Sequence, residues 1–345
     1  MLDSLQCNPA RAGEEHGGDL SAARRAFPNA PEPWLDLSTG VNPYAYPFAE
    51  PPGESWTRLP DPAALAGLER VAARAYRVPA GAEAVAAPGT QAIINWLPFL
   101  FPARRVGILG FTYSEHARAW RNSGAAVSIV DHIDDLKSAD VAVIVNPNNP
   151  DGRLLAVGDL LALASDLSQR GGVLIVDEAF VDFLGPEASL VPDMPESGVV
   201  ILRSFGKAYG LPGLRLGFAI APKNLAAKLR TALGCWPVSG PAIAIGAQAL
   251  ADAFWLRSTR AKVEAAAAAL REILAAAGFS SREGLLFKLA KAADAPRRFE
   301  ALAKSGIWVR RFEMQPDWLR FGLPGSEADR ARLRLALGIA SKKRD

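Results

Sequence analysis

Apolar residues in this chain gather in short, nearly unbroken blocks set between longer mixed stretches. Val106–Gly110, Val141–Val145, Gly172–Asp177, Gly198–Leu202 and the run LGFAIA over 216–221 are blocks of this kind. A strand with one face in water alternates apolar and polar residues, whereas a strand covered on both faces need not. The blocks therefore predict buried strands of an α/β fold. A helix over 157–170 fills the interval between the second block and the third. Earlier, SAARRAF over 21–27 reads as a helix, and Leu35-Asp36-Leu37 as a short strand ending in a turn through Gly40, Asn42 and Pro43. Pro88 and Gly89 break the chain ahead of a helix reaching Trp96, with Thr90 as its expected N-cap. From Lys223 to about 277 the pattern is helical and rich in alanine, interrupted over 236–241. Short strands at Leu285–Leu289, Ile307–Phe312 and Leu319–Leu323, with a last helix over 326–338, make a second, smaller unit.

Half of the 345 residues are hydrophobic and 22% are charged, an ordinary globular balance with room for one large domain and a smaller one. Lys+Arg number 39 against 36 for Asp+Glu. So slight an excess gives no reason to expect nucleic acid and does not oppose an anionic substrate. Two cysteines, Cys7 and Cys235, imply no disulfide framework and fit a reducing cytoplasm. Asp3, Glu14 and Glu15 sit where a secretory leader would be apolar. The longest alanine-rich run is broken by Arg271 and Glu272, so no membrane partner is expected. No metal site is expected either.

Candidate chemistry concentrates in SFGKAYGLPGLRLGF, residues 204–218, where Lys207 and Arg215 stand between two of the buried blocks. Glycines there permit tight turns and close approach. A lysine held in the core loses the solvation of its ammonium, and the free amine it then favours can attack a carbonyl to form a Schiff base. Arg215 keeps its charge and offers a fork of donors suited to phosphate. Together they point to pyridoxal phosphate; the lesser alternative on these residues alone is a loop lysine without chemical role. Asp177 ends the third block, and a carboxylate at that end of a core strand faces the crevice where α/β sheets bind ligands. Asn149, Asp177 and Lys207 are spaced by 28 and 30 positions (177 − 149 and 207 − 177), each the length of a strand–helix–strand unit. The helix start at Gly89, Thr90 and Gln91 presents N–H groups to an anion, as any capped helix would. His16 before two glycines reads as a turn residue, and Arg310 and Arg320 read first as surface ion-pair arginines.

The stretch 204–218 resembles the lysine signature of fold-type I pyridoxal-phosphate enzymes of the class I/II aminotransferase family. NPNNPDG over 146–152 and DEAF over 177–180 stand in the family's order, and the likeness runs over roughly 16–340. It implies a large domain over 36–240 with a mainly parallel seven-stranded sheet flanked by helices, a small α+β domain from 1–35 and 241–345, and a homodimer. It implies that Lys207 carries the cofactor, Asp177 pairs with the pyridinium nitrogen, Asn149 donates to the phenolic oxygen and Tyr113 stacks on the ring. Gly89, Thr90, Gln91, Ser204 and Arg215 would hold the phosphate. Arg320 would take a substrate carboxylate, and Arg310 a second anion. Leu59 replaces a tyrosine that crosses the dimer interface in relatives, Phe180 replaces another tyrosine, and Gly206 replaces a hydroxyl residue. HGGD over 16–19 and DEAF are closest to the threonine-phosphate decarboxylase branch, where the N-terminal histidine reaches the substrate phosphate. The resemblance thus implies decarboxylation of L-threonine O-3-phosphate to 1-amino-2-propanol O-2-phosphate in cobalamin biosynthesis. The alternative is an aminotransferase acting on histidinol phosphate or a related amino acid.

Overall fold

A computed structural model describes residues 16–339; Asp3, Cys7, Glu14 and Glu15 lie outside the described residues, and Cys235 is exposed. The chain enters through α1 (Leu20–Ala26), β1 (Leu35–Leu37), α2 (Glu54–Thr57) and α3 (Pro62–Ala75). Strands and helices then alternate: β2 (Ala82–Ala87), α4 (Thr90–Leu100), β3 (Arg105–Leu109), α5 (Ser114–Asn122), β4 (Ala126–Val130), β5 (Val141–Val145), α6 (Val157–Ser168) and β6 (Val173–Asp177). Next come β7 (Val199–Ser204), α7 (Phe205–Ala208) and β8 (Gly217–Pro222). Helices α8 (Lys223–Leu233), α9 (Gly240–Ala251) and α10 (Ala253–Ala276) lead to β9 (Ser280–Arg282), β10 (Phe287–Lys291), α11 (Ala295–Lys304), β11 (Ile307–Arg311), β12 (Trp318–Gly322) and α12 (Glu327–Ala336).

Seven strands form the larger sheet in the order β2-β8-β7-β6-β5-β3-β4. Its pairings are parallel from β7 to β4, and β8 runs antiparallel to both of its neighbours. The expected mainly parallel, seven-stranded sheet is therefore present. Helices on both faces explain the unbroken apolar blocks. Val143, Ile175 and Val200 pack with Ile93 of α4, Trp120 of α5 and Leu225 of α8. Their neighbours Ile144, Val176 and Ile201 point the other way, into the cluster that holds Leu163 of α6 and Ile243 of α9.

The smaller sheet has the order β1-β11-β12-β10-β9, with β1 parallel to β11. Phe27 and Trp34 meet Phe299 and Trp308 edge to face, which packs this early stretch against the smaller sheet's unit. The boundary expected at residue 36 falls inside β1, which is tied to the small sheet by its ladder. The boundary expected at 241 separates α9 from its packing partner α3, against which it lies. Gly246 of α9 permits that approach: a Cβ there would meet Leu216 at 2.4 Å and Leu68 at 3.2 Å.

Other expectations shift for local reasons. The strand placed at 285–289 is β10, two residues later, because Gly284 makes a tight turn in which a Cβ would lie 2.6 Å from Phe287 O. The N-cap of α4 is Gly89, not Thr90: φ at Gly89 is +83°, a left-handed value that glycine adopts without strain, and Thr90 is the first helical residue. Strands β2 and β4 carry weak signals, the first with four alanines in its six residues and the second an edge strand with exposed positions.

Arg203 of β7 is buried just before the chemistry-bearing loop. It donates through Nη1 to Glu178 at 3.2 Å and through Nη2 to Asp182, and its guanidinium lies 4.3 Å from the Tyr76 ring centre. Glu178 also accepts from Ser189 Oγ and Leu190 N, both at 2.7 Å. Burial raises the Glu178 carboxyl against the pull of Arg203 and these donors. Arg203→Met would leave two buried carboxylates without their cation, a loss of about 3–5 kcal/mol. Urea unfolding should show a destabilisation of that order; a change below about 1 kcal/mol would assign the network no stabilising part.

Candidate active site

Four parallel strands deliver side chains to one edge of the large sheet. The turn after β3 carries Tyr113, the turn after β5 carries Asn149, β6 ends on Asp177, and β7 ends on Ser204 with Lys207 following in α7. Because β8 runs the opposite way, Arg215 just ahead of it is at this same edge, beside the start of α4. A cavity of about 260 Å³ opens there, and Arg310 of β11 and Arg320 of β12 close it from the small sheet. Every candidate residue named from the sequence, His16 included, borders this one space.

Asp177 is fixed from two directions. Its Oδ1 accepts from Ala179 N at 3.0 Å, and its Oδ2 lies 2.9 Å from Nε2 of His116, which is wholly buried on α5. Lys207 Nζ faces no hydrogen-bonding side chain at Phe180, whose ring centre is 5.7 Å away. Burial lowers the Lys207 ammonium to about 8; Arg320 and Arg215 push it the same way, and Asp177 opposes them.

Arg215 and the start of α4 form a cradle for an anion. The backbone of Arg215 is itself left-handed, with φ 52°, and its Nη1 donates to Pro212 O at 3.1 Å. A Cβ on Gly89 would lie 2.7 Å from Arg215 Nη2, and one on Gly217 would lie 2.6 Å from Thr90 N. Two glycines are thus what allow a guanidinium to sit against a helix start, where backbone N–H groups and the helix dipole also favour negative charge.

Arg320 is held in plane by the protein. Its Nη2 donates to Ser38 O at 2.7 Å and its Nη1 to Asn149 Oδ1, while its buried Nε has no hydrogen-bond partner among the described residues. A buried guanidinium N–H without a partner costs free energy until an anion meets it. Arg310 stands opposite Arg320 in the β11–β12 register. Burial, and after it Arg310, lowers the Arg320 guanidinium to about 10, so it stays charged at neutral pH. On the opposite wall, Tyr113 OH donates to Gln91 Oε1 at 2.9 Å. Burial, with Glu115 and Asp177 adding to it, pushes the Tyr113 phenol up to about 12, so it keeps its proton.

Residues 33–337 match the family described as aminotransferase class I and II. The chain belongs to that family. A threonine-phosphate decarboxylase of Pseudomonas aeruginosa is 42% identical, over 94% of this chain and 97% of its own length. Another from a Sinorhizobium species is 40% identical, over 93% and 97%. The crystal structure of histidinol-phosphate aminotransferase from Sinorhizobium meliloti in complex with pyridoxal-5′-phosphate matches with a TM-score of 0.79. It covers 98% of both chains at 20% identity, a likeness of fold.

In this class I and II aminotransferase relative, three site residues escape motif reading. His116 reads as one more polar residue of a charged helix, and its signal is its spacing of one helical turn from Tyr113. Ser38 acts on Arg320 through a backbone carbonyl, which no side-chain pattern reveals. Glu115 looks like an ordinary first-turn acid of α5. Since free amine forms only as the Lys207 ammonium loses its proton, capture of a small aromatic aldehyde should rise with pH, half-maximal near pH 8. Absorbance titration of the ligand-free protein, with Lys207→Ala as control, measures it. A midpoint at the ordinary 10.5 would mean that burial and the two arginines do not act on this amine.

Proposed function

We propose that the protein decarboxylates L-threonine O-3-phosphate with pyridoxal 5′-phosphate as cofactor, yielding 1-amino-2-propanol O-2-phosphate for cobalamin biosynthesis. The observation that carries this reading is the juxtaposition of Arg310 and Arg320 on one wall with His16 at the mouth of the same cavity. That arrangement suits a small substrate with two anionic groups, one carboxylate and one phosphate. The two decarboxylases at 42% and 40% identity support it. We place the enzyme in the cytoplasm as a homodimer; the exposed Trp56, Leu59, Phe99 and Trp236 support an interface between copies. No helix among the described residues is long and apolar enough to cross a membrane.

The residues present fit the cofactor: a reactive amine, a carboxylate, an aromatic wall and a phosphate cradle border one cavity. Bound there, pyridoxal phosphate supplies a sink for the electron pair left on Cα when the carboxyl group departs. Lys207 Nζ would hold the cofactor by its aldehyde carbon and, once displaced from it by the substrate's amine, would be the group placed to return a proton to Cα. Asp177, oriented by His116, keeps the proton on the ring nitrogen. Tyr113 would cover the ring, and the amide nitrogen of Asn149, whose oxygen is taken by Arg320, would be the group to donate to the ring oxygen. Arg215, Ser204 and the Gly89–Gln91 turn hold the cofactor phosphate. Arg320 and Arg310 bind the substrate's anions, and the plane imposed on Arg320 by Ser38 and Asn149 fixes the direction in which the carboxylate points.

Two measurements test this assignment. Arg215→Lys replaces a fork by a point charge, and Leu59 and Gly206 contribute no hydroxyl. Cofactor affinity should therefore fall by about tenfold or more, a change of at least about 1.4 kcal/mol. Equal affinity in the two proteins would remove Arg215 from the phosphate cradle. With phosphothreonine and no keto acid, the enzyme should release carbon dioxide over many turnovers and retain its aldehyde cofactor. A halt after one turnover, relieved by adding a keto acid, would instead establish an aminotransferase.

A further inference from the structure

One carboxylate at the rim holds the first described residues across the mouth of the cavity. His16 Nε2 lies 3.0 Å from Glu115 Oε1, which also accepts from Arg118 Nη1 at 3.0 Å. The other oxygen, Oε2, accepts from Gln91 Nε2 at 3.2 Å. Gln91 Oε1 in turn accepts from Tyr113 OH at 2.9 Å. A hydrogen-bonded line therefore runs from His16 at the rim to the Tyr113 hydroxyl inside.

The same short segment is fastened on its other side to the small sheet. Gly18 N donates to Ser38 Oγ at 2.8 Å, and a Cβ on Gly17 would lie 2.3 Å from Ser38 O. That carbonyl is the one that accepts from Arg320 Nη2. Ser38 follows β1 of the small sheet, whereas Glu115 is in the first turn of α5 on the large one. Residues 16–18 thus span the opening, with one attachment on each unit.

Glu115 is suited to this task. Its side chain is 13% exposed against 48% for His16, so the acid is the fixed partner and the imidazole the movable one. Three donors from three different segments converge on it. We propose that Glu115 is a positioning residue that clasps segment 16–18 over the cavity. It occupies Nε2 of His16 and leaves Nδ1, which donates when the imidazole carries both protons, for the anionic group of the substrate. Through Gln91 it makes the closed segment and the placement of Tyr113 parts of one arrangement. The substrate half of this inference rests on the phosphorylated amino-acid reading above; the clasp itself does not.

The test has one arm that needs no substrate. Hydrogen–deuterium exchange on the holoenzyme should show the amides of residues 16–20 exchanging about tenfold faster or more in Glu115→Ala, with α5 unchanged. Glu115→Gln retains an acceptor for His16 or for Gln91 but not for both, and should fall between. In the second arm, Glu115→Ala and His16→Ala should each raise KM for phosphothreonine about tenfold, more than they lower kcat. The double variant should be no worse than either single one, because Glu115 acts through His16. Unchanged exchange in Glu115→Ala, or additive effects on KM, would overturn the clasp. If phosphothreonine proves not to be a substrate, the exchange arm still decides the clasp, which separates its failure from failure of the assigned reaction.

Discussion

Positive charge crowded around a small space is the constraint on which this site depends. Lys207, Arg215, Arg310, Arg311 and Arg320 all border the cavity, against Asp177 and Glu313 among its described lining residues. The cations act on one another: Arg310 lowers Arg320, and Arg320 and Arg215 both lower Lys207. A positive field of this kind favours an anion beyond what its hydrogen bonds alone give, and a neutral group forgoes that gain. Burial first, and this crowding after it, keep the Lys207 amine available for chemistry near neutral pH.

Rigidity is supplied from beneath. The Asp177–His116 pair, the Arg203 network and the Ser38–Arg320–Asn149 bonds each lock a side chain whose direction matters. His116 and the partners of Arg203 lie outside the cavity wall, and Ser38 acts through its backbone carbonyl, so much of the wall is held from behind.

Much of this was legible in the sequence because strand ends leave local marks. Asn146-Pro147 through Gly152, the acid closing β6 and the lysine loop each combine a backbone constraint with a reactive side chain, and such combinations survive in one dimension. The strands β5, β6 and β7 announced themselves by unbroken apolar runs. What escaped was set by partners distant in sequence. β2, with four alanines in its six residues, becomes a strand through its ladder with β8, and Leu37 joins β11 across some 270 positions of chain (309 − 37 = 272). His116 gains its place only when α5 packs against the end of β6. The side chain of Thr90 suits a cap, yet the close approach of Arg215 demands glycine one position earlier, and that glycine is the cap.

The reversed direction of β8 sets a further condition on the chain. A parallel crossover would have carried the polypeptide to the far edge of the sheet before the next strand, but β7 and β8 are antiparallel neighbours, so the loop from Phe205 to Leu216 leaves and returns at the same edge. Lys207 near its start and Arg215 near its end are thereby two jaws of a single caliper whose opening is the span of one small molecule. Within this loop, the addition or loss of one residue would change the gauge itself.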